Sequence, residues 1–199
     1  FSPMRAKTVP RKSSFVAKGI YITGIGAGTK RILRLGSELR KLGGNTIVFD
    51  AKDMSGIVFY HSKVSLVKEI GANNRVPIRD LGKMICQLHD MGIHVVARIV
   101  LFHDRLLAEK RQDLSVRSRS TGKLWGTKGG VGWVDPSLKE VQRYNLDLAR
   151  ELAASGVDEI QFDYIRFPAT GNTDDAMYSF DEAKTTKHKV ITGFLKRAY

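Results

Sequence analysis

The chain has 199 residues, 42% of them hydrophobic and 9% aromatic, and 33 Lys and Arg against 20 Asp and Glu give a formal net charge of +13. This composition is that of an ordinary globular domain and excludes a largely disordered chain. No apolar run approaches the roughly 20 residues that cross a bilayer, and the length is short for a complete (β/α)8 barrel, which takes roughly 250 residues. Because the chain begins with Phe1 and not Met, we expect the natural N-terminus, with any signal segment, to lie upstream.

Much of the excess positive charge lies at the two ends of the chain. Residues 1–19 and residues 184–199 each carry five Lys or Arg and no Asp or Glu. We interpret residues 1–15 as a basic, disordered tail or linker, and the C-terminal run as a solvated helix face. Electrostatic contact with an anionic wall or membrane surface is the alternative. No specific nucleic-acid partner is expected, because aromatic residues do not alternate with the charges.

Four β-rich segments alternate with helix-like segments after residue 15. Strands are predicted at residues 18–24, 46–53, 94–102 and 158–168, and helices at residues 29–42, 78–91, 137–155 and 181–199. Gly44, Gly92 and Gly156 each lie between a helix and the next strand, where glycine can adopt the left-handed conformation that ends a helix. This alternation predicts an α/β fold with a parallel sheet. Four strands cannot close a barrel, so the chain is either the N-terminal part of a (β/α)8 TIM barrel or a smaller doubly wound domain.

Two of the predicted connections are long, at residues 54–77 and 103–136, and loops of this length are uncommon unless they have a function. The second is predicted to contain a short helix at residues 105–112, with Asp104 favoured as its N-cap. Elsewhere, Cys86 lies among apolar residues of a predicted helix, and we expect its thiol to be buried and inert.

The alternation of side chains along the strands decides between the two folds. Side chains of a strand point to opposite faces in turn, which separates an apolar face, predicted to pack under helices, from a polar face. Three strands place polar or charged groups on the second face: Asp50, Lys52, Arg98, Gln161 and Asp163. A doubly wound sheet buries both faces, whereas a barrel has an interior that such groups can line. We therefore predict that residues 16–199 form an incomplete TIM barrel with about four βα units.

Active sites of such barrels lie where the strands end. Asp53, Asp163 and Arg166 are predicted at or just beyond those ends. The alternative interpretation is a buried ion-pair network without catalytic function. Burial costs several kcal/mol for each charge before ion pairing offsets it. This cost favours a functional role for Asp163 over a purely structural one. For Asp50 and Arg98 the two interpretations stay open.

Several motifs resemble one family of bacterial barrels. They are residues 48–53 (VFDAKD), 133–136 (WVDP) and 158–168 (DEIQFDYIRFP). The family consists of glycoside-hydrolase-like (β/α)8 barrels related in pattern to the α-amylase-like barrels, long catalogued as a domain of unknown function. The resemblance spans roughly residues 16–180 and covers only the N-terminal half of the family's domain.

The resemblance implies hydrolysis of a glycosidic bond in a polysaccharide. In related barrels an Asp at the end of the fourth strand is the nucleophile, and Asp163 matches that position. A second carboxyl group must protonate the leaving oxygen, and Asp53 is the candidate in this sequence. Substrate-binding candidates are Asp50, Lys52, Arg98, Gln161, Arg166, Trp125 and Trp133. The alternative function is a non-catalytic carbohydrate- or wall-binding barrel module.

Other functional classes have weak signals. Glycines 24, 26 and 28 follow the first strand, but Arg31 stands where a dinucleotide-binding fingerprint has its third glycine. The five histidines show no metal-ligand spacing, so neither a metal nor a cofactor is expected. From the resemblance we expect an extracytoplasmic protein, either at the bacterial cell surface or secreted. As a half barrel, the isolated chain is expected to be poorly stable and inactive.

Overall fold

A computed structural model describes residues 15–127 and 130–199 of the chain. All of the predicted tail except Phe15 lies outside these residues. The strands are β1 (Gly19–Ile22), β2 (Thr46–Lys52), β3 (His94–Val100), β4 (Arg117–Ser118), β5 (Gly126–Thr127), β6 (Gly130–Val131), β7 (Glu159–Asp163) and β8 (Ala176–Met177). The helices are α1 (Gly24–Ala27), α2 (Arg31–Lys41), α3 (Ser65–Ile70), α4 (Leu81–Asp90), α5 (Arg105–Lys110), α6 (Lys139–Ala154) and α7 (Lys187–Ala198).

The central sheet has four parallel strands in the order β1-β2-β3-β7. Each strand therefore lies beside the next strand of the series, as in the first half of a (β/α)8 barrel, and the order never reverses as it does in a doubly wound sheet. The predicted fold class, the N-terminal part of a TIM barrel with four βα units, is confirmed.

The apolar face of the sheet packs against the helices. Ile47, Phe49, Ala97 and Ile99 are fully buried on this face, as side-chain alternation predicts. Helix α7 contacts the same face through Phe194, whose ring lies 5.5 Å from Phe102 and 5.7 Å from Phe162. These contacts form one continuous core. The opposite face of the sheet carries the polar groups of the site.

The structure corrects several element boundaries. Strand β7 ends at Asp163 and not near residue 168, because Tyr164 has a positive φ of 50° that no extended strand accommodates. Helix α7 begins at Lys187, six residues later than predicted, where Thr186 caps it by accepting a hydrogen bond from the backbone N–H of Lys189. Helices α1 and α3 were not predicted, since both are short.

The prediction for Cys86 is wrong, because its side chain is exposed. The buried residues of α4 are Leu81, Met84, Ile85 and Leu88, which recur at helical spacing. Cys86 follows Ile85 by one position, a rotation of about 100° around the helix axis, and therefore lies outside the buried stripe.

The two long connections begin at the C-terminal edge of the sheet, by which we mean the ends of β1, β2, β3 and β7, and the first one turns back beside β2. Tyr60 and Ser62 of the first connection donate hydrogen bonds to Glu151 of α6. In the second, the backbone N–H of Val134 donates to the carbonyl of Phe102. Within the described residues no helix is long and apolar enough to cross a membrane.

Candidate active site

Two carboxylates and one guanidinium meet on the polar face of the sheet. Arg98 of β3 pairs in register with Asp50 of β2 and with Gln161 of β7. Its Nη1 lies 2.6 Å from Oδ1 of Asp50, and its Nε and Nη2 both lie 2.7 Å from Oδ2 of Asp163. We call this Asp50–Arg98–Asp163 arrangement the Arg98 bridge. Partial burial lowers the pKa of Arg98, but its hydrogen bonds to the two carboxylates outweigh this effect and raise it above its ordinary value.

The two carboxylates of the Arg98 bridge differ in exposure. The Asp50 side chain is 4% exposed and the Asp163 side chain 36% exposed. Oδ1 of Asp163 also accepts a hydrogen bond of 2.7 Å from the backbone N–H of Tyr164. Asp163 is therefore the carboxylate that a molecule from solvent can reach, and its orientation is fixed through both oxygens. Asp50 serves to hold Arg98.

Tyr21 of β1 extends the cluster to the first strand. Its hydroxyl donates a hydrogen bond to Oδ2 of Asp50, and its ring centroid lies 5.8 Å from Cζ of Arg98. Burial, together with this hydrogen bond to Asp50, raises the pKa of Tyr21 to about 12. The hydroxyl thus stays protonated at neutral pH and acts as a hydrogen-bond donor. All four strands contribute to the site: β1 and β2 support Arg98, and β3 and β7 position Asp163.

Lys52 does not belong to this cluster, and its predicted face is wrong. The register shifts between Asp50 and Lys52, so that Lys52 lies opposite Ile99 on the helix-facing side of the sheet. Its Nζ lies 2.7 Å from Asp104 and 2.9 Å from Asn145 of α6, and its side chain is 1% exposed. Burial lowers the pKa of Lys52, and the charge of Asp104 opposes that effect. A β-bulge reverses the alternation of the side chains that follow it in the strand. The alternation of residues along the sequence does not reveal where such a bulge occurs.

Asp53 follows β2 at the C-terminal edge of the sheet, as predicted. Its Oδ1 accepts hydrogen bonds from the backbone N–H and hydroxyl of Ser55 and from the backbone N–H of Ile57. The carboxyl group is thereby part of the turn that follows the strand. Its Oδ2 has no hydrogen-bond partner among the described residues.

The two tryptophans are both buried, Trp125 to 3% and Trp133 to 5% exposure. Trp125 donates its Nε1–H to the carbonyl of Asn172, and its contacts fasten the loop. Trp133 stacks on His103, with ring centroids 4.8 Å apart and an interplanar angle of 4°. Neither ring offers an open face to a sugar.

A group of three aromatic rings adjoins Asp163. The Tyr164 ring lies 5.3 Å from the His103 ring and 6.2 Å from the Trp133 ring. We call His103, Trp133 and Tyr164 the aromatic base. Cζ of Arg166 lies 5.2 Å from the Trp133 ring and 5.4 Å from the Tyr164 ring. Burial, and secondarily the charge of Arg166, lowers the pKa of His103, so its imidazole is neutral at pH 7.

Gln161 and Arg166 are both exposed. Gln161 lies beside Arg98 on the polar face, as strand alternation predicts. Arg166 lies beyond the end of β7, next to the aromatic base. The site residues from three predicted strands are therefore brought together, whereas Lys52 and Trp125 lie elsewhere.

Sequence reasoning did not single out Tyr21 or Tyr164 as site residues. Tyr21 was detectable, because it alternates with Ile20 and Ile22 and so shares the polar face of its strand. Regular strand alternation predicts that Tyr164 lies on the apolar face with Phe162. Its positive φ turns the ring toward His103 instead, and a non-glycine residue in this conformation gives no sequence signal. The predicted N-cap at Asp104, the residue that follows His103, is confirmed, because Oδ1 of Asp104 accepts a hydrogen bond from the backbone N–H of Leu107.

No group of three or more His, Cys, Asp or Glu side chains in the described part of the chain is arranged to hold a metal ion. The side chains at the C-terminal edge instead form hydrogen bonds and ion pairs with one another. They could bind hydroxyl groups, and Asp163 could act as a nucleophile or stabilise a developing positive charge.

Four parallel strands in chain order, with a reachable carboxylate where the fourth strand ends, define the class of protein: the N-terminal part of a (β/α)8 barrel with a site at its C-terminal edge. A family described as "Putative glycosyl hydrolase domain" matches residues 19–199. A solved structure of a hypothetical protein from Ruminiclostridium thermocellum ATCC 27405 is 35% identical, with a TM-score of 0.80 over 90% of each chain. The chain therefore belongs to this glycosyl hydrolase domain family.

Two glycosidases of known structure are similar to the chain in fold. The GH20 exo-β-N-acetylglucosaminidase from Vibrio harveyi has a TM-score of 0.61 at 15% identity, over 92% of this chain and 33% of that enzyme. The α-galactosidase from Thermus thermophilus has a TM-score of 0.58 at 19% identity, over 94% of this chain and 37% of that enzyme. The chain thus spans about a third of each enzyme. No curated protein sequence matches it.

Proposed function

We propose that this protein hydrolyses a glycosidic bond in a polysaccharide, with Asp163 as nucleophile or as the carboxylate that stabilises the transition state. The observation that carries the proposal is the geometry of Asp163. It ends the fourth strand, is 36% exposed, and is oriented through Oδ1 by Tyr164 and through Oδ2 by Arg98. A fixed carboxylate can attack an anomeric carbon or stabilise an oxocarbenium-like charge.

The remaining parts of the site have defined tasks in this proposal. The guanidinium of Arg98 balances the charge of Asp163, and Asp50 and the Tyr21 hydroxyl keep Arg98 in place. Asp53 supplies the second carboxyl group through Oδ2, because Oδ1 is bound by the turn that follows β2. Gln161 is placed to bind a sugar hydroxyl on the polar face.

A screen of bacterial polysaccharides, with the full-length protein and reducing-end release as the readout, tests the proposal. Once a substrate is found, aryl glycosides of the same sugar separate the two carboxyl groups. Asp53→Asn should retain most of its rate with a good leaving group, because no proton is then needed, whereas Asp163→Asn should be slow with every leaving group. Cleavage that is unchanged in Asp163→Asn would refute the role of Asp163.

A non-catalytic carbohydrate-binding barrel is the second candidate. The observation that favours it is the hydrogen bonding of Asp53, whose Oδ1 is fully used by its own turn. This function predicts that the full-length protein binds a polysaccharide and releases no reducing ends from it. Because the polymer stays intact, its affinity for the protein should be the same before and after prolonged incubation with the protein.

A further inference from the structure

Arg166 forms no ion pair with any residue that the structure describes, although it lies near the solvent-accessible carboxylate of Asp163. Among residues 15–127 and 130–199, no carboxylate lies within 4.0 Å of its guanidinium, and its side chain is exposed. In contrast, Arg98 is shared by two carboxylates, and Arg111 pairs with Glu69, Asp113 and Glu140. The hydrogen-bond donors of Arg166 are therefore available to a bound molecule.

The aromatic base holds this guanidinium in position. Trp133 is 5% exposed and stacked on His103, and both the Trp133 and Tyr164 rings lie within about 5.4 Å of Cζ of Arg166. A guanidinium over aromatic faces is attracted by them and loses little further freedom when it binds a ligand. Tyr164 also binds Oδ1 of Asp163 through its backbone N–H. The cation is thus placed next to the reacting carboxylate.

The charges around the site select the kind of ligand. Arg98 carries one positive charge against the two negative charges of Asp50 and Asp163, and Arg166 is the second cation beside this group. Because Arg98 uses its donors on the two carboxylates, Arg166 is the cation whose donors remain for a ligand. One guanidinium presents two parallel N–H donors that match a carboxylate, and it balances a single negative charge. A phosphate monoester carries almost two negative charges and would be only half balanced.

We propose that Arg166 binds the carboxylate of an acidic sugar next to the bond that is cleaved, so that the protein selects a carboxylate-bearing polysaccharide over a neutral one. This inference rests on the proposed glycosidase function. The net charge of +13 agrees with an anionic polymer as substrate, since it raises the local concentration of such a chain.

Matched pairs of polymers test the inference on the full-length protein. The probes are polygalacturonate, hyaluronan and peptide-free peptidoglycan strands, each compared with its derivative in which the carboxyl groups are reduced to alcohols. A charge-assisted hydrogen-bonded pair changes such a ratio by about ten- to a hundredfold. We expect kcat/KM of the parent protein to be at least about tenfold higher for the acidic member of one pair.

The Arg166→Gln variant should lose this preference, with a ratio near one. The matched control is Arg143→Gln, which removes the same charge from an exposed position on α6, and which should keep the parent's ratio. Equal cleavage of acidic and reduced polymers by the parent, cleavage of neutral polymers only, or an unchanged ratio in Arg166→Gln would each overturn the inference.

Failure of the proposed function has a different signature. If no polymer in either form is cleaved, the glycosidase proposal fails, and calorimetric titration with oligosaccharides of the same pairs then decides the inference. At least about tenfold tighter binding of the acidic oligosaccharide, lost in Arg166→Gln and kept in Arg143→Gln, would support it. Equal binding of both forms, or binding of neither at millimolar concentration, would overturn it.

Discussion

The buried position of Lys52 leads to a quantitative prediction, because strand alternation places the same side chain in the barrel interior. In the structure Nζ is bound by Asp104 and Asn145, and the Lys52 and Asp104 side chains are 1% and 0% exposed. Lys52→Met keeps most of the side-chain volume but leaves the Asp104 carboxylate buried with one remaining partner, the N–H of Leu107. Breaking a buried ion pair in this way costs about 3–5 kcal/mol.

The assay is urea unfolding at pH 7, followed by circular dichroism, of Lys52→Met, Asp104→Asn and the double variant. We expect the free energy of unfolding to fall by about 3–5 kcal/mol in Lys52→Met. The double variant should lose less than the sum of the two single losses, by about 1–3 kcal/mol, because the residues are in direct contact. Lys110→Met, at an exposed position of α5, is the control and should cost well under about 1 kcal/mol.

A loss below about 0.5 kcal/mol in Lys52→Met, or strict additivity in the double variant, would contradict a buried Lys52–Asp104 ion pair. Either result would mean that the Lys52 amine is solvated, as it would be on the polar face of the sheet.

Three further predictions follow from single residues. Gly156 has φ of +94°, so Gly156→Ala should lower the free energy of unfolding by about 1 kcal/mol. Gly82 of α4 has open space around a Cβ atom, so Gly82→Ala should raise the free energy of unfolding by about 0.4–1 kcal/mol. Urea unfolding measures both changes, and opposite signs would contradict the backbone conformations of these two glycines. Cys86 should react with a thiol reagent in the native protein within minutes, and reaction only after unfolding would contradict its exposure. The lysine ammonium in Arg98→Lys lacks the planar donor fork that binds both carboxylates, so Asp163 should be misplaced and kcat should fall by about ten- to a hundredfold. Full activity of this variant would show that the Arg98 bridge is dispensable.

The fold and half of the site could be predicted from local sequence signals. The glycines before β2, β3 and β7 and the β-rich runs after them were sufficient to predict a parallel α/β sheet, and the polar face of its strands then favoured a barrel over a doubly wound domain. Alternation within each strand then placed Asp50, Arg98 and Asp163 on one face, because regular strands in register bring equivalent positions together. The Arg98 bridge forms between residues that this alternation places on one face.

The failures share a physical cause: each depends on a departure from regular geometry. A bulge after Asp50 moved Lys52 to the helix-facing side, and the positive φ of Tyr164 ended β7 and redirected one ring. Both departures are stabilised by tertiary contacts, with Asp104 and Asn145 for Lys52 and with His103 for Tyr164. Because residues distant in sequence determine these two departures, a local sequence pattern cannot predict them.

Participation of the Asp163 carboxylate in the reaction is measured by kcat of Asp163→Asn on the polysaccharide that the parent protein cleaves. The control is Asp174→Asn, the same change at an exposed position away from the Arg98 bridge, with circular dichroism to verify that both variants fold. We expect a loss of about a thousandfold or more for Asp163→Asn and an unchanged kcat for Asp174→Asn. Equal rates in the parent and Asp163→Asn would contradict participation of this carboxylate.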